Sequence, residues 1–122
     1  MKLERTRDPG GPVVRGIGAS GFRTDDGTFA ALLMTSEAVA AWSPPTLAML
    51  AEDDLAPLLD PAPEFVLLGT GTRLTPPPRV LVRALEARGI GLEAMDSRAA
   101  ARAWGVLRGE GRRIAAALYP LD

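Results

Sequence analysis

The chain has 122 residues, with 14 Lys+Arg against 15 Asp+Glu and neither histidine nor cysteine. Without imidazole or thiol there is no Ser-His-Asp triad, no cysteine nucleophile, no disulfide and no zinc site of the usual nitrogen-and-sulfur kind. A net charge of -1 supplies no broad positive field for a phosphate backbone, so nucleic acid is not expected as a partner, while 47% hydrophobic and 24% charged residues describe a chain that folds.

This length suits one domain. Residues 1–12 alternate charge with proline and glycine and carry no apolar period, so they read as a flexible arm, with a single α/β domain over 13–122. The start has no apolar h-region and no later run reaches the ~18 apolar residues of a membrane span, which makes a cytoplasmic protein the expectation. From Gly16 to Phe22 the chain is glycine-rich, Asp25-Asp26-Gly27 supplies a turn, and Thr28–Met34 follows as an apolar run; together they predict an antiparallel hairpin region. Ala38–Trp42 is read as a strand stopped by Ser43-Pro44-Pro45, and Asp54 as the cap of a short helix to Leu59 that tolerates Pro57 in its first turn and buries Leu55, Leu58 and Leu59.

The second half is more regular. Phe65-Val66-Leu67-Leu68 is a continuous apolar run, as in a strand covered on both faces. Pro76-Pro77-Pro78 then starts a helix with an apolar stripe of Val80, Leu81, Ala84 and Leu85, closed by Gly89. Gly91–Met95 is a strand; Asp96 or Ser97 caps a second helix with Ala100, Ala103, Trp104 and Leu107 inward and Arg98 and Arg102 outward; Arg113–Tyr119 is the last strand. A β-α-β-α-β order with short loops implies parallel strands and right-handed crossovers, behind the hairpin region, in a mixed sheet.

In such a sheet the carboxyl ends of the strands are the ligand edge. That places a candidate cleft at Gly69, Thr70, Gly71 and Thr72 with Met95, Asp96, Ser97 and Arg98. The third glycine of a dinucleotide fingerprint and the Gly-Lys-Ser/Thr of a phosphate loop are both missing, and the two glycines equally serve a tight strand-to-helix turn. Glu93, Glu110 and Arg112 form a candidate ion network, structural or, if Glu93 points inward, a poised acid or base. Asp25-Asp26 and Asp53-Asp54 lack metal-loop spacing, so no metal is expected, and Ser20 lacks a base, so no catalytic residue is assigned. Arg98, Arg102 and Arg108 read as a solvated helix face or a basic docking strip. Trp42 and Trp104 suit either core or interface.

Pro63–Gly71, Gly89–Ser97, Ala99-Ala100, Val106-Leu107, Glu110-Gly111-Arg112 and Ala115–Leu118, with Ile17 to Phe22, Phe29 and Trp42 before them, carry a family likeness. The Gly-Thr-Gly strand end, the Glu-Ala-Met-Asp-Ser strand end and the Glu-Gly-Arg junction together resemble the Mth938-like domain family of unknown function, which includes a mitochondrial respiratory complex I assembly factor and an adipogenesis-associated human protein. The resemblance implies a three-layer β/β/α fold and no established enzyme activity. It further implies a protein partner drawn from respiratory or export complexes; no cofactor is expected, and a homo-oligomer stays open. Where relatives often have cysteine in the last helix this chain has Ala101, and where they often have a tyrosine-asparagine pair it has Trp104-Gly105. The expected function is therefore binding, as an assembly-factor-like protein, with a small-ligand domain or enzyme using the strand-end cleft as the alternative.

Overall fold

Turn chemistry shapes the first third of the chain. In the computed structural model, which describes residues 11–121, Gly16–Gly18 (β1), Gly21–Thr24 (β2) and Gly27–Phe29 (β3) form an antiparallel meander. Asp25-Asp26 makes the two-residue turn between β2 and β3. The Thr24 hydroxyl fixes it, accepting from the Asp26 N–H at 3.0 Å and donating to the Gly27 carbonyl at 2.9 Å. At Gly21, where φ is +118°, a Cβ would stand 2.2 Å from the Phe29 carbonyl oxygen, so only glycine lets β2 and β3 approach.

The run Thr28–Met34 is not one strand of that hairpin. A bend at Ala30-Ala31 divides it, leaving β3 in the small sheet and sending Leu32–Met34 (β4) into a second one. The second sheet adds Val39–Ala41 (β5), Phe65–Gly69 (β6), Gly91–Met95 (β7) and Ile114–Leu118 (β8), in the order β5-β4-β8-β6-β7. β6 pairs in parallel with β7 on one side and β8 on the other, whereas β4 is antiparallel to both β8 and β5. Two helices, Arg79–Ala87 (α1) and Ser97–Leu107 (α2), provide the crossovers expected from the sequence. The fold is mixed α/β.

Strand alternation separates two cores. Val66 and Leu68 of β6 and Ala115 and Ala117 of β8 face a layer made by α1 (Leu81, Leu85) and by the short segment carrying Leu55, Leu58 and Leu59. Leu67, Ala116 and Leu118 face the other way, against α2 (Ala100, Trp104) and against Phe22 of the small sheet. The outer β layer of the expected β/β/α arrangement is thus shared between the three-stranded sheet and α2.

Three local readings need correction. The helix expected from Asp54 is a 3₁₀ segment, Glu52–Leu58, and Asp54 sits inside it rather than at its cap: its carboxylate reaches back to accept from the Ala51 N–H at 2.9 Å. Val80 does not belong to the buried stripe of α1. It is 81% exposed, because Leu81 and Leu85 alone turn into the core while Val80 lies about 100° around the helix from Leu81. In α2 the fully buried row is Ser97, Ala100, Ala101 and Trp104, with Ala103 and Leu107 half-buried beside it.

Of the arm expected over 1–12, residues 1–10 lie outside the described residues. The other two are anchored: the Trp104 indole Nε1 donates to the Pro12 carbonyl at 2.7 Å, and the Arg108 guanidinium donates to the Gly11 carbonyl at 2.6 Å.

Candidate functional site

The strand-end residues Gly69 to Thr72 and Met95 to Arg98 do come together, and their polar groups bond to one another. Ser97 is the centre. Fully buried, its hydroxyl accepts from the Gly71 N–H at 2.9 Å and donates to the Tyr119 carbonyl at 2.8 Å, while its own N–H donates to the Gly71 carbonyl at 2.8 Å. One residue therefore ties the ends of β6 and β8 to the start of α2. A Cβ on Gly69 would lie 2.7 Å from the Ser97 Oγ and 2.8 Å from the Leu118 Cδ2, so the glycine is required by packing. The Thr70 Oγ1 is similarly engaged, donating to the Arg73 carbonyl at 2.7 Å and accepting from the Thr75 N–H at 3.0 Å. Asp96 caps α2 by accepting from the Ala99 N–H at 2.8 Å. Of the donors that a helix N-terminus would offer to an anion here, the Ser97, Ala99 and Ala100 N–H groups already have partners within the chain.

The candidate ion network separates. Arg112 meets Glu64 at 3.2 Å and stacks its guanidinium 5.0 Å from the Phe65 ring centroid. Glu93 is exposed on the outer strand β7, Glu110 is exposed beyond α2, and among the described residues neither forms an ion pair. Inward placement of Glu93 is therefore not realised. Other perturbed groups have local causes: the Arg15 guanidinium, 3.0 Å away, holds the Asp25 carboxyl below its ordinary range, and burial, with a smaller contribution from Asp54, pushes the Tyr119 hydroxyl up to about 12. Tyr119 donates to the Pro45 carbonyl at 2.8 Å and takes the edge of Trp42 at 5.1 Å between centroids, which makes the half-buried Trp42 a packing residue. Trp104 is core.

The arginine spacing on α2 marks one wall of a concave surface beside that helix, but no local pattern marks the other wall. An open groove of about 360 Å³ runs between the chain segment around Val13, Val14 and Ile17 and the helix. Ala101 and Gly105 line its helical side, where larger side chains would occupy it. Arg98 and Arg102 flank it, both exposed, and among the described residues neither has a hydrogen-bond or ion-pair partner. The spacing of Arg98, Ala101, Arg102 and Gly105 is one helical face, a signal the sequence does contain. Its opposite wall comes from residues some 90 positions earlier in the chain, held there by the Trp104–Pro12 hydrogen bond.

The family model for a protein of unknown function, DUF498/DUF598, matches residues 14–119. The chain belongs to this family. A Bordetella pertussis protein solved by NMR and called a Mth938-like domain superposes with a TM-score of 0.79 at 30% identity, over 98% of this chain and 92% of that one. A crystal structure from Bordetella parapertussis gives a TM-score of 0.80 at 36% identity over 89% and 95%, and one of a Bartonella henselae protein called an outer membrane protein gives 0.82 at 26% over 93% and 98%. An uncharacterised Rhodobacter capsulatus protein is 38% identical over 92 residues, 74% of this chain and 68% of that protein. The DUF498 match begins at Val14, so it takes in both walls of the groove apart from Val13. Among the described residues no helix is long and apolar enough to cross a membrane, and no cluster of acidic side chains has the makings of a metal site.

Proposed function

We propose that this DUF498 protein is a non-catalytic binding module, an assembly-factor-like protein that holds a protein partner during biogenesis of a membrane complex such as respiratory complex I. The observation that carries the binding reading is the contrast between its two concave regions. At the strand ends, the usual ligand edge of the fold, the Ser97, Thr70 and Asp96 side chains take up the Gly71, Thr75 and Ala99 N–H groups. Beside α2, an open groove keeps two arginines that have no partner among the described residues. The absence of histidine and cysteine from the sequence supports the same reading, and the resemblance to the family branch with a complex I assembly factor supports the choice of pathway. A small ligand that bonded the Gly71 N–H would have to displace the Ser97 hydroxyl from it.

The test is quantitative affinity capture from the native host with the tagged full chain, together with complex I assembly in a deletion strain. Enrichment of respiratory or export components and delayed assembly are expected. Normal assembly with no such component enriched over an untagged control would overturn the proposal.

A further inference from the structure

We infer that the groove beside α2 takes an extended segment of the partner protein carrying acidic side chains at alternate positions. This inference rests on the binding reading above and names the chemistry of the partner. Arg98, Arg102 and Val106 stand one turn apart along α2, each exposed, with Val106 67% exposed. Four residues of helix advance 6.0 Å at about 1.5 Å per residue, and two residues of an extended strand advance about 6.7 Å. Alternate side chains of a strand lying along α2 therefore meet, in turn, Arg98, Arg102 and Val106. The matching pattern is acid-x-acid-x-apolar, read along α2 from its N-terminus.

Three further features select an extended chain. None of the described residues lining the groove is acidic, so among them the two guanidiniums lack local neutralisation, and two like charges at this spacing weaken an isolated helix unless an anion joins them. Ala101 and Gly105 leave room at the helical side for backbone. On the other side, Gly16 and Ile17 of β1 line the groove, and β1 is an outer strand of the small sheet, with one edge not paired to a strand among the described residues. An added strand can take main-chain hydrogen bonds from such an edge while its carboxylates meet the arginines, the usual division between affinity and specificity in strand addition.

The experiment is fluorescence anisotropy of the full chain with two labelled heptapeptides, Thr-Glu-Thr-Glu-Thr-Leu-Thr and its reverse, against the same peptides with Gln for Glu, and with octanoate as a small carboxylate. Expected is saturable binding of one Glu peptide, at least tenfold weaker for its Gln counterpart and weakened by salt. Arg98→Ala and Arg102→Ala each reduce affinity about 3–10-fold, and the R98E/R102E double variant abolishes it, with the melting temperature unchanged because among the described residues neither arginine has a partner to lose. NMR shifts at the Val13–Gly18 and α2 amides locate the peptide.

Binding that ignores the Glu-to-Gln change or the arginine variants overturns the inference. So does competition by octanoate at the peptide's own concentration range, or occupation of the groove by a second copy of the chain in light scattering. If R98E/R102E captures the same host partner as the unaltered chain, the inference fails while the binding module stands; if neither captures one, the module itself fails.

Discussion

Replacing Ser97 with alanine is expected to destabilise the fold by about 2–4 kcal/mol. The side chain is fully buried, and its loss leaves the Gly71 N–H and the Tyr119 carbonyl without the partners now at 2.9 and 2.8 Å. Each buried polar group left unsatisfied costs about 1–3 kcal/mol, and the cavity from one oxygen is too small to hold a bridging water. The value sits below the simple sum because both groups lie at strand ends, where small backbone movements recover part of the loss. For a chain of this size it corresponds to a fall in melting temperature of roughly 8–16 °C. Urea unfolding followed by the fluorescence of buried Trp104 measures it, with the slope of free energy against urea unchanged. A loss under about 0.5 kcal/mol would show that the hydroxyl does not hold β6, β8 and α2 together, and would reopen the strand ends as a ligand site.

Gly69→Ala forces a Cβ to within 2.8 Å of the Ser97 Cα, and a loss of about 1–3 kcal/mol is expected by the same urea assay. Asp96→Ala removes the α2 cap and should lose about 1 kcal/mol, whereas Val80→Lys, at an exposed position, should stay within about 0.5 kcal/mol. For Tyr119 the raised folded-state pKa means that stability is full below pH 10 and falls as pH rises toward 12, by roughly 1–3 kcal/mol; Tyr119→Phe should flatten that alkaline limb in melts taken from pH 8 to 12. For Asp25 the sign is reversed: its lowered pKa gives stability present above about pH 4 and lost as pH falls through the folded value, an effect salt should suppress because the pair is exposed.

The elements legible in the sequence were those with signals at both ends. Phe65–Gly69 carries an apolar run wide enough for two covered faces, and α1 lies between three prolines and Gly89, whose φ of +77° is the left-handed stop that glycine permits. The run Thr28–Met34 misled because its apolar pattern continues through a change of sheet; two alanines carry the bend, and alanine gives no turn signal. Val80 misled because a nine-residue helix against an outer strand buries a narrow stripe, and adjacent apolar residues cannot both lie on it.

At the candidate site, residue identity was visible and spatial partnership was not. Asp96 and Ser97 stood out as caps, yet that the Ser97 hydroxyl bridges β6 to β8 depends on the parallel register that sets Gly69 beside Leu118. Arg112 finds Glu64, 48 residues away, instead of the nearer Glu110. The groove depends on Pro12 meeting Trp104, a contact no local period encodes.

Photo-crosslinking in the native host distinguishes binding beside α2 from binding at the strand ends. A photoreactive phenylalanine analogue placed singly at Val106, at Thr72 or at Val80, all exposed positions, reports which face a partner covers. Expected is a discrete protein adduct from Val106 that disappears in the R98E/R102E background, with none from Thr72 or Val80. An adduct from Thr72 with Val106 silent would contradict binding beside α2.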